Sequence, residues 1–294
     1  MPGQLSERAG MARPLQGHPL FQRLAGGFNA LTAGQFERWV TTASQEEISE
    51  RFTAPAIMVL FDVLCGELAV EVFGPPAALA GYSLGFYAAG VVAKCVSPQA
   101  VLGWLTRVNA SNARAFPPGA FSLAVSTGVA PQALRAAFEQ WGQGGLEIAN
   151  VNNPSQVVFA GPAAEVADAV GRLRGVALDV RALPLDVPLH TPYLEGPRSE
   201  VMSWWSLVPA STPLFPLLSP ATGKVIRSGA GFKQEVLSAL ALPTDWVAVV
   251  RGLEAQGIRT LLDLSPQGDL GRMARWTCRD MEVLPVSALW EEGG

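Results

Sequence analysis

Apolar residues in this chain gather into blocks whose spacing changes from helical to strand-like and back. Between Ala54 and Phe73 they are almost continuous, interrupted by Asp62, Glu67 and Glu71. The block predicts a buried helix, because the acids argue against a membrane span. Thr53 precedes it as an N-cap candidate, and Pro55 falls in the first turn, where a missing N–H is tolerated. Pro75-Pro76 ends the block, and a short apolar run, Ala77 to Tyr82, leads into Gly81-Tyr82-Ser83-Leu84-Gly85. Small and apolar residues from Leu84 to Ala93 predict a helix. Ala100 to Ala115 predicts another, stopped by Pro117-Pro118-Gly119.

The middle of the chain switches period. Phe121–Val125, Leu146–Val151, Val157–Ala160 and Ala177–Leu183 read as strands, and Pro131–Trp141 and Ala163–Leu173 as helices. Asn152-Asn153-Pro154-Ser155 supplies a turn between the second and third strands. The order β-α-β-β-α-β is the ferredoxin-like arrangement, so residues 118–187 are expected to form a small inserted subdomain. Beyond it, Pro192–Val208 reads as helical, Leu214–Leu218 as a strand, Pro243–Gln256 as a helix and Thr260–Leu264 as a strand. Alternation of this kind outside the insert predicts an α/β sheet covered by helices.

Composition narrows the class. The chain has 294 residues, 49% hydrophobic and 16% charged, enough for a large core and a smaller insert. A net charge of −4 with no basic block argues against nucleic acid as the main partner. Met1-Pro2-Gly3-Gln4 opens with neither a basic nor an apolar leader pattern, so no secretory signal is expected. Cys65, Cys95 and Cys278 are odd in number, far apart and without metal-ligand spacing, and read as reduced thiols of a cytoplasmic protein with no metal site.

Candidate chemistry centres on Ser83. A Gly-x-Ser-x-Gly stretch between an apolar run and a helix forces its serine into a strained backbone and exposes the hydroxyl. The helix start then turns N–H groups toward developing negative charge. Taken alone, the pentapeptide also fits a glycine-rich turn with a capping serine. A serine nucleophile needs a base, and the chain holds two histidines. His190, in Val187-Pro188-Leu189-His190-Thr191-Pro192, lies in a loop at the end of the insert, where catalytic groups often sit. His18 lies in a surface-like segment and reads as ordinary. Asp179 and Asp186 have no compelling context as a third member, so a serine–histidine dyad is the simpler expectation.

These pieces together resemble the malonyl-CoA:acyl-carrier-protein transacylase family, which includes the acyltransferase domains of polyketide synthases. Pro2-Gly3-Gln4 with Gly10-Met11 resembles its PGQG…GM loop, Thr53-Ala54-Pro55-Ala56 its T-x-P-A helix start, and Gly81 to Gly85 its GHSxG elbow. Asn152 to Gly161 resembles its N-x-P-x-Q-V-V-I-x-G hairpin, and His190-Thr191-Pro192 its H-[ST]-P motif. Leu242 to Trp246 resembles its N-P-V-x-W segment, and Leu264 to Gly268 its late G-P-G turn. The resemblance spans nearly the whole chain. It implies an α/β-hydrolase-like catalytic subdomain, residues 1–117 and 188–294, carrying the ferredoxin-like subdomain 118–187. It also implies that Ser83 is acylated, and that His190 acts as base and then as acid for the leaving thiol. His190 would be oriented by the backbone carbonyl of Ala239, and Gln4 and Leu84 would supply oxyanion-hole N–H groups. An arginine on the helix after the elbow binds the malonyl carboxylate in the family, and Arg107 is the nearest candidate. The implied reaction is ping-pong transfer from acyl-CoA, malonyl-CoA foremost, to the phosphopantetheine thiol of an acyl carrier protein. Coenzyme A thioester is the substrate and no further cofactor is implied, in fatty acid or polyketide biosynthesis.

The departures from the family matter. Arg107 lies 24 residues after Ser83, one short of the usual spacing, so a gapless count puts Val108 in its place. Tyr82 and Phe86 replace polar residues beside the nucleophile, which predicts a less polar pocket wall. Leu5 replaces a glycine, which predicts a stiffer oxyanion loop. The strand that leads into PGQ in the family is absent, so either the start lies downstream of the native one or the sheet lacks a strand. A hydrolase clearing stalled carriers needs no carboxylate clamp, and a non-catalytic docking subunit of a synthase complex needs no nucleophile. Both stand as alternatives. Arg172, Arg174, Arg181, Lys224 and Arg227 are candidates for steering an acidic carrier.

Overall fold

The computed structural model describes residues 1–51 and 53–291. It is a mixed α/β structure in which one five-stranded sheet and two short two-stranded sheets lie among helices. The buried helix is Ala54–Phe73, with the boundaries that the apolar block predicts. Pro55 is in its first turn, but Thr53 makes no capping bond to the helix; its hydroxyl donates to Glu50 Oε2 at 2.7 Å instead. Its buried side chains share the largest core with those of helices Pro19–Leu31, Phe36–Thr41, Gly85–Val92, Pro98–Ala115, Glu195–Leu207 and Gly229–Ala241.

The five-stranded sheet contains β1 (Phe121–Thr127), β2 (Glu147–Asn153), β3 (Gln156–Pro162) and β4 (Asp179–Leu183) in the order β4-β1-β3-β2. Helices Pro131–Gln140 and Ala163–Leu173 lie between β1 and β2 and between β3 and β4. Asn153 Oδ1 accepts from Ser155 N–H at 2.9 Å and closes the β2–β3 turn. The period of two sorts this sheet into faces. Ala124, Ile148, Val157 and Phe159 pack under the two helices with Leu134 and Phe138, whereas Leu123, Val125, Val158 and Leu183 lie on the opposite face.

The remaining strands are shorter than the sequence suggests. β5 (Leu217–Leu218) pairs with β6 (Val225–Ile226), and β7 (Thr244–Asp245) adds to the five-stranded sheet parallel to β2. β8 (Thr260–Asp263) pairs in parallel with β9 (Glu282–Pro285). The apolar run before Ser83 contributes a single bridge, Leu79 to Leu217. Among the described residues no helix is long and apolar enough to cross a membrane.

Candidate active site

The five residues around Ser83 form a sharp elbow, and both glycines are there for space. A Cβ on Gly81 would lie 2.2 Å from Phe86 N, and one on Gly85 would lie 2.2 Å from Met1 O. Ser83 itself takes φ 51°, a left-handed conformation that costs a side-chain-bearing residue about 1–2 kcal/mol. Helix Gly85–Val92 begins immediately after it.

His190 reaches the elbow from the loop that follows β4. Its Nε2 lies 2.6 Å from Ser83 Oγ, and its Nδ1 lies 2.5 Å from the carbonyl oxygen of Ala239. A carbonyl only accepts, so Nδ1 carries the proton and Nε2 is left as the acceptor for the serine hydroxyl. The His190 N–H also donates to Leu240 O, at 3.0 Å. Both carbonyls belong to the last turn of helix Gly229–Ala241, where backbone oxygens have no partner within the helix. The negative end of that helix faces the ring, a placement that would stabilise an imidazolium were Nε2 to take a proton. His190 is buried and has φ 61°.

Burial lowers the pKa of His190 below its ordinary 6.5, and the bond to Ala239 opposes that shift. The neutral ring is the form that accepts a proton, so a lowered pKa keeps that form present further toward acid. A reaction at Ser83 that used His190 as its base would therefore be level above pH 7 and fall on the acid side with a midpoint below 6.5. A profile of kcat/KM against pH with its midpoint above that value would contradict this account.

Ser83 and His190 open onto a cleft of 510 Å³. Leu123, Val125, Val158 and Leu183, from one face of the five-stranded sheet, line it together with Gln4, Leu5 and Tyr82. Among the described residues, the backbone N–H groups of Gln4 and Leu84 donate to no other backbone or side-chain acceptor, which leaves them available to an incoming oxyanion. Leu5 adopts φ 73°, so three of the five non-glycine residues with positive φ among the described residues line this cleft. Strain of this kind concentrates at functional sites.

The other expected site residues fall elsewhere. Arg107 is not brought to the cleft. Its guanidinium lies 4.0 Å over the Trp204 ring and donates to Gly103 O at 3.1 Å on an exposed flank. Val108 is buried in the core. Helix Pro98–Ala115 instead reaches a neighbouring recess of 230 Å³ through Asn109 and Asn112. Phe86 does not form pocket wall either: it is fully buried against Phe232, where its ring stabilises the fold by roughly 2 kcal/mol. Tyr82 keeps a polar tip in the wall, its hydroxyl donating to Asn152 Oδ1 at 2.6 Å, and burial pushes its pKa up. His18 caps helix Pro19–Leu31 by accepting from Leu20 N–H.

Of the basic candidates, Arg181 lines the cleft. Arg172 is held by Asp168 at 2.8 Å and lies 5.4 Å over Trp141. Sequence reasoning missed Arg8, which lines the cleft and donates to Gln267 Oε1 at 2.9 Å and to Glu7 O at 2.6 Å. Its signal was its position between Gln4 and Met11, inside a loop already singled out.

No protein-family model matches the chain. The malonyl CoA-acyl carrier protein transacylase of Bacillus subtilis is 23% identical over 293 residues, which cover 97% of this chain and 92% of that protein. A crystal structure of an acyl-carrier-protein S-malonyltransferase from Burkholderia pseudomallei superposes with a TM-score of 0.93 at 21% identity, covering 100% of this chain and 97% of that one. A malonyl-transacylase in complex with a type II polyketide synthase acyl-carrier protein superposes with a TM-score of 0.91 at 22% identity, over 99% and 96% of the two chains.

Proposed function

We propose, from the premise that this chain is a relative of the malonyl-CoA:acyl-carrier-protein transacylases, that it transfers an acyl group from coenzyme A to a carrier-protein thiol through an ester on Ser83. The observation that carries the reading is the 2.6 Å contact between Ser83 Oγ and His190 Nε2, with the far ring nitrogen held on Ala239 O. In the first half-reaction His190 takes the hydroxyl proton as Ser83 Oγ attacks the thioester carbonyl. The N–H groups of Gln4 and Leu84 receive the oxyanion. Collapse breaks the C–S bond, and the imidazolium returns the proton to the leaving thiolate. In the second half-reaction the carrier's phosphopantetheine thiol gives its proton to His190 and attacks the ester carbonyl, and as the bond to Ser83 Oγ breaks the imidazolium returns that proton to the serine oxygen.

The subdomain reading belongs to the same proposal. The βαββαβ order of β1 to β4 supports a ferredoxin-like insert, residues 118–187, in an α/β-hydrolase-like body of residues 1–117 and 188–294. Malonyl is the acyl group that the relatives' names favour, and a cytoplasmic carrier pathway for fatty acids or polyketides is the setting. Coenzyme A enters as the substrate thioester, with no cofactor in the reaction.

The test is intact-mass detection of a covalent adduct after incubation with malonyl-CoA and with acetyl-CoA, followed by a chase with holo carrier protein. The transferase reading expects an adduct that persists in water and disappears into the carrier. Rapid loss in water alone would select the hydrolase reading, which the placement of Arg107 outside the cleft favours. Absence of any adduct would sink both.

Two variants probe binding. Arg107→Ala is expected to leave malonyl loading within about twofold, since its cation–π contact with Trp204 is worth only ~0.5–1 kcal/mol at an exposed site. Arg181→Glu is expected to raise KM for the carrier about tenfold while loading from malonyl-CoA changes little, because a cation at the cleft steers an acidic partner. The check is whether the deficit shrinks as ionic strength rises.

A further inference from the structure

The recess of 230 Å³ beside the cleft is lined by two polar side chains that the chemistry at Ser83 does not use, Glu7 and Asn112. Among the described residues, Glu7 Oε2 and Asn112 Oδ1 have no hydrogen-bond partner. The two residues are 2% and 4% exposed, so bulk solvent does not satisfy these oxygens either. An acceptor left unpaired in a buried site is destabilising, and the great majority of such atoms in folded proteins have a donor. Gln4, Leu5, Glu7 and Leu189 line both the recess and the cleft of Ser83 and His190, so the two spaces adjoin.

Glu7 is fixed through its backbone rather than through its carboxyl group. Its carbonyl accepts from Gln45 Nε2 at 3.1 Å and from Arg8 Nη1 at 2.6 Å, and Gln45 Oε1 accepts from Ala9 N–H at 3.0 Å. Gln45 thereby clamps the loop on both sides of Arg8. The Arg8 guanidinium also donates to Leu5 O and to Gln267 Oε1, and these bonds leave the Glu7 carboxyl group aside. Arg51 and Asp186 line the recess too, with Arg51 Nη1 2.9 Å from Asp186 Oδ2. That pair balances its own charge, and Glu7 is the remaining ionisable residue of the lining. Asn112 comes from helix Pro98–Ala115, where it is one of the buried positions.

We propose that the recess is an acyl subsite for a short group ending in a protonated amine, such as glycyl or β-alanyl, with Glu7 as its specificity-determining residue and Asn112 as a second acceptor. An ammonium group carries three N–H donors and no acceptor, so one group can satisfy both orphaned oxygens. Its bond to the Glu7 carboxylate is charge-assisted, the stronger kind. A carboxylate at the same place would bring further acceptors and a like charge, and a methyl group would leave both oxygens unpaired. This acyl class goes beyond the malonyl group that the relatives' names favour. Its delivery to Ser83 rests on the acyl transfer proposed above; its binding in the recess does not.

The experiment compares two aminoacyl thioesters with the alkyl isosteres that lack the donor: glycyl-CoA against propionyl-CoA, and β-alanyl-CoA against butyryl-CoA. Titration calorimetry on Ser83→Ala, which cannot form the ester, reads binding alone, so a failure of the Ser83 chemistry and a failure of the subsite give different results. At neutral pH at least one aminoacyl thioester is expected to bind about tenfold or more tightly than its isostere, because a site built to bond an N–H rejects the analogue without it. Adding Glu7→Gln, which keeps the volume and removes the charge, is expected to shrink that preference to about twofold or less. Equal binding within both pairs in the Ser83→Ala protein would overturn the proposal, and is the result a recess holding only water would give. A preference that survives Glu7→Gln undiminished would overturn it as well, since the amine would then be recognised elsewhere.

Discussion

Ser83→Ala is expected to abolish the covalent acyl adduct and to lower transfer to the carrier by about 10⁴–10⁶-fold while leaving the fold intact. The substitution removes one oxygen, whose contact in the structure is the 2.6 Å bond to His190. Alanine keeps the Cβ and tolerates the same strained backbone no worse than serine does, so stability should change by less than ~1 kcal/mol. His190→Ala is expected to act on the same step with a comparable loss, because the hydroxyl is a weak nucleophile until a base takes its proton. The two side chains work as a unit, so the double variant should be little worse than either single one. Intact mass after malonyl-CoA treatment, a carrier-transfer assay and circular dichroism check all three claims. Transfer above about 1% of the parent in Ser83→Ala, with normal thermal melting, would remove Ser83 from the role of nucleophile.

Parts of the fold were plain in the sequence because they depend on short-range pattern. The Ala54–Phe73 helix is a single apolar block between a proline-containing first turn and Gly74. The β1–β4 unit alternates with period two and carries turn residues between its elements. What escaped lacked such a local signal. Helix Pro19–Leu31 contains Gly26 and Gly27, which blur its periodicity, and helix Gly229–Ala241 opens with glycines at its first and third positions. Leu214–Leu218 reads as a strand, but only Leu217–Leu218 pairs, because the partner β6 is two residues long.

The site was legible to the extent that its chemistry follows from residue type and neighbourhood. Ser83 stands out through its flanking glycines and His190 through scarcity, since the only other histidine caps a helix. Arg107 shows where such reasoning stops. Val101, Trp104, Leu105, Val108, Ser111 and Asn112 are the buried positions of helix Pro98–Ala115. Successive residues turn by about 100°, so this stripe carries position 107 away from the packed face. The stripe was available in the sequence, but a charged residue near the expected spacing outweighed it. Phe86 misled in a similar way. Lying next to the elbow in sequence does not put a side chain in the cleft when the helix begins at Gly85 and turns the ring inward.

The elbow's glycines give the largest expected effect on stability. A methyl group on Gly85 would sit 2.2 Å from Met1 O and 2.4 Å from Pro2 O, and both contacts are with backbone. Neither carbonyl can rotate away as a side chain would: the Met1 carbonyl is already bound to Tyr82 N–H, and the chain there leads directly to Gln4. Gly85→Ala is therefore expected to lose more than about 3 kcal/mol or to fail to accumulate as folded protein. Gly81→Ala should behave alike, since its added Cβ meets Phe86 N at 2.2 Å. Gly26→Ala supplies the contrast. That position is inside helix Pro19–Leu31, is exposed, and has nothing within 4 Å of an added Cβ. There alanine restricts the unfolded chain and suits the helix, and a gain of about 0.5–1 kcal/mol is expected. Denaturant melts of the three variants provide the measurement. If Gly85→Ala melts within ~1 kcal/mol of the parent, Met1 and Pro2 do not press against the elbow.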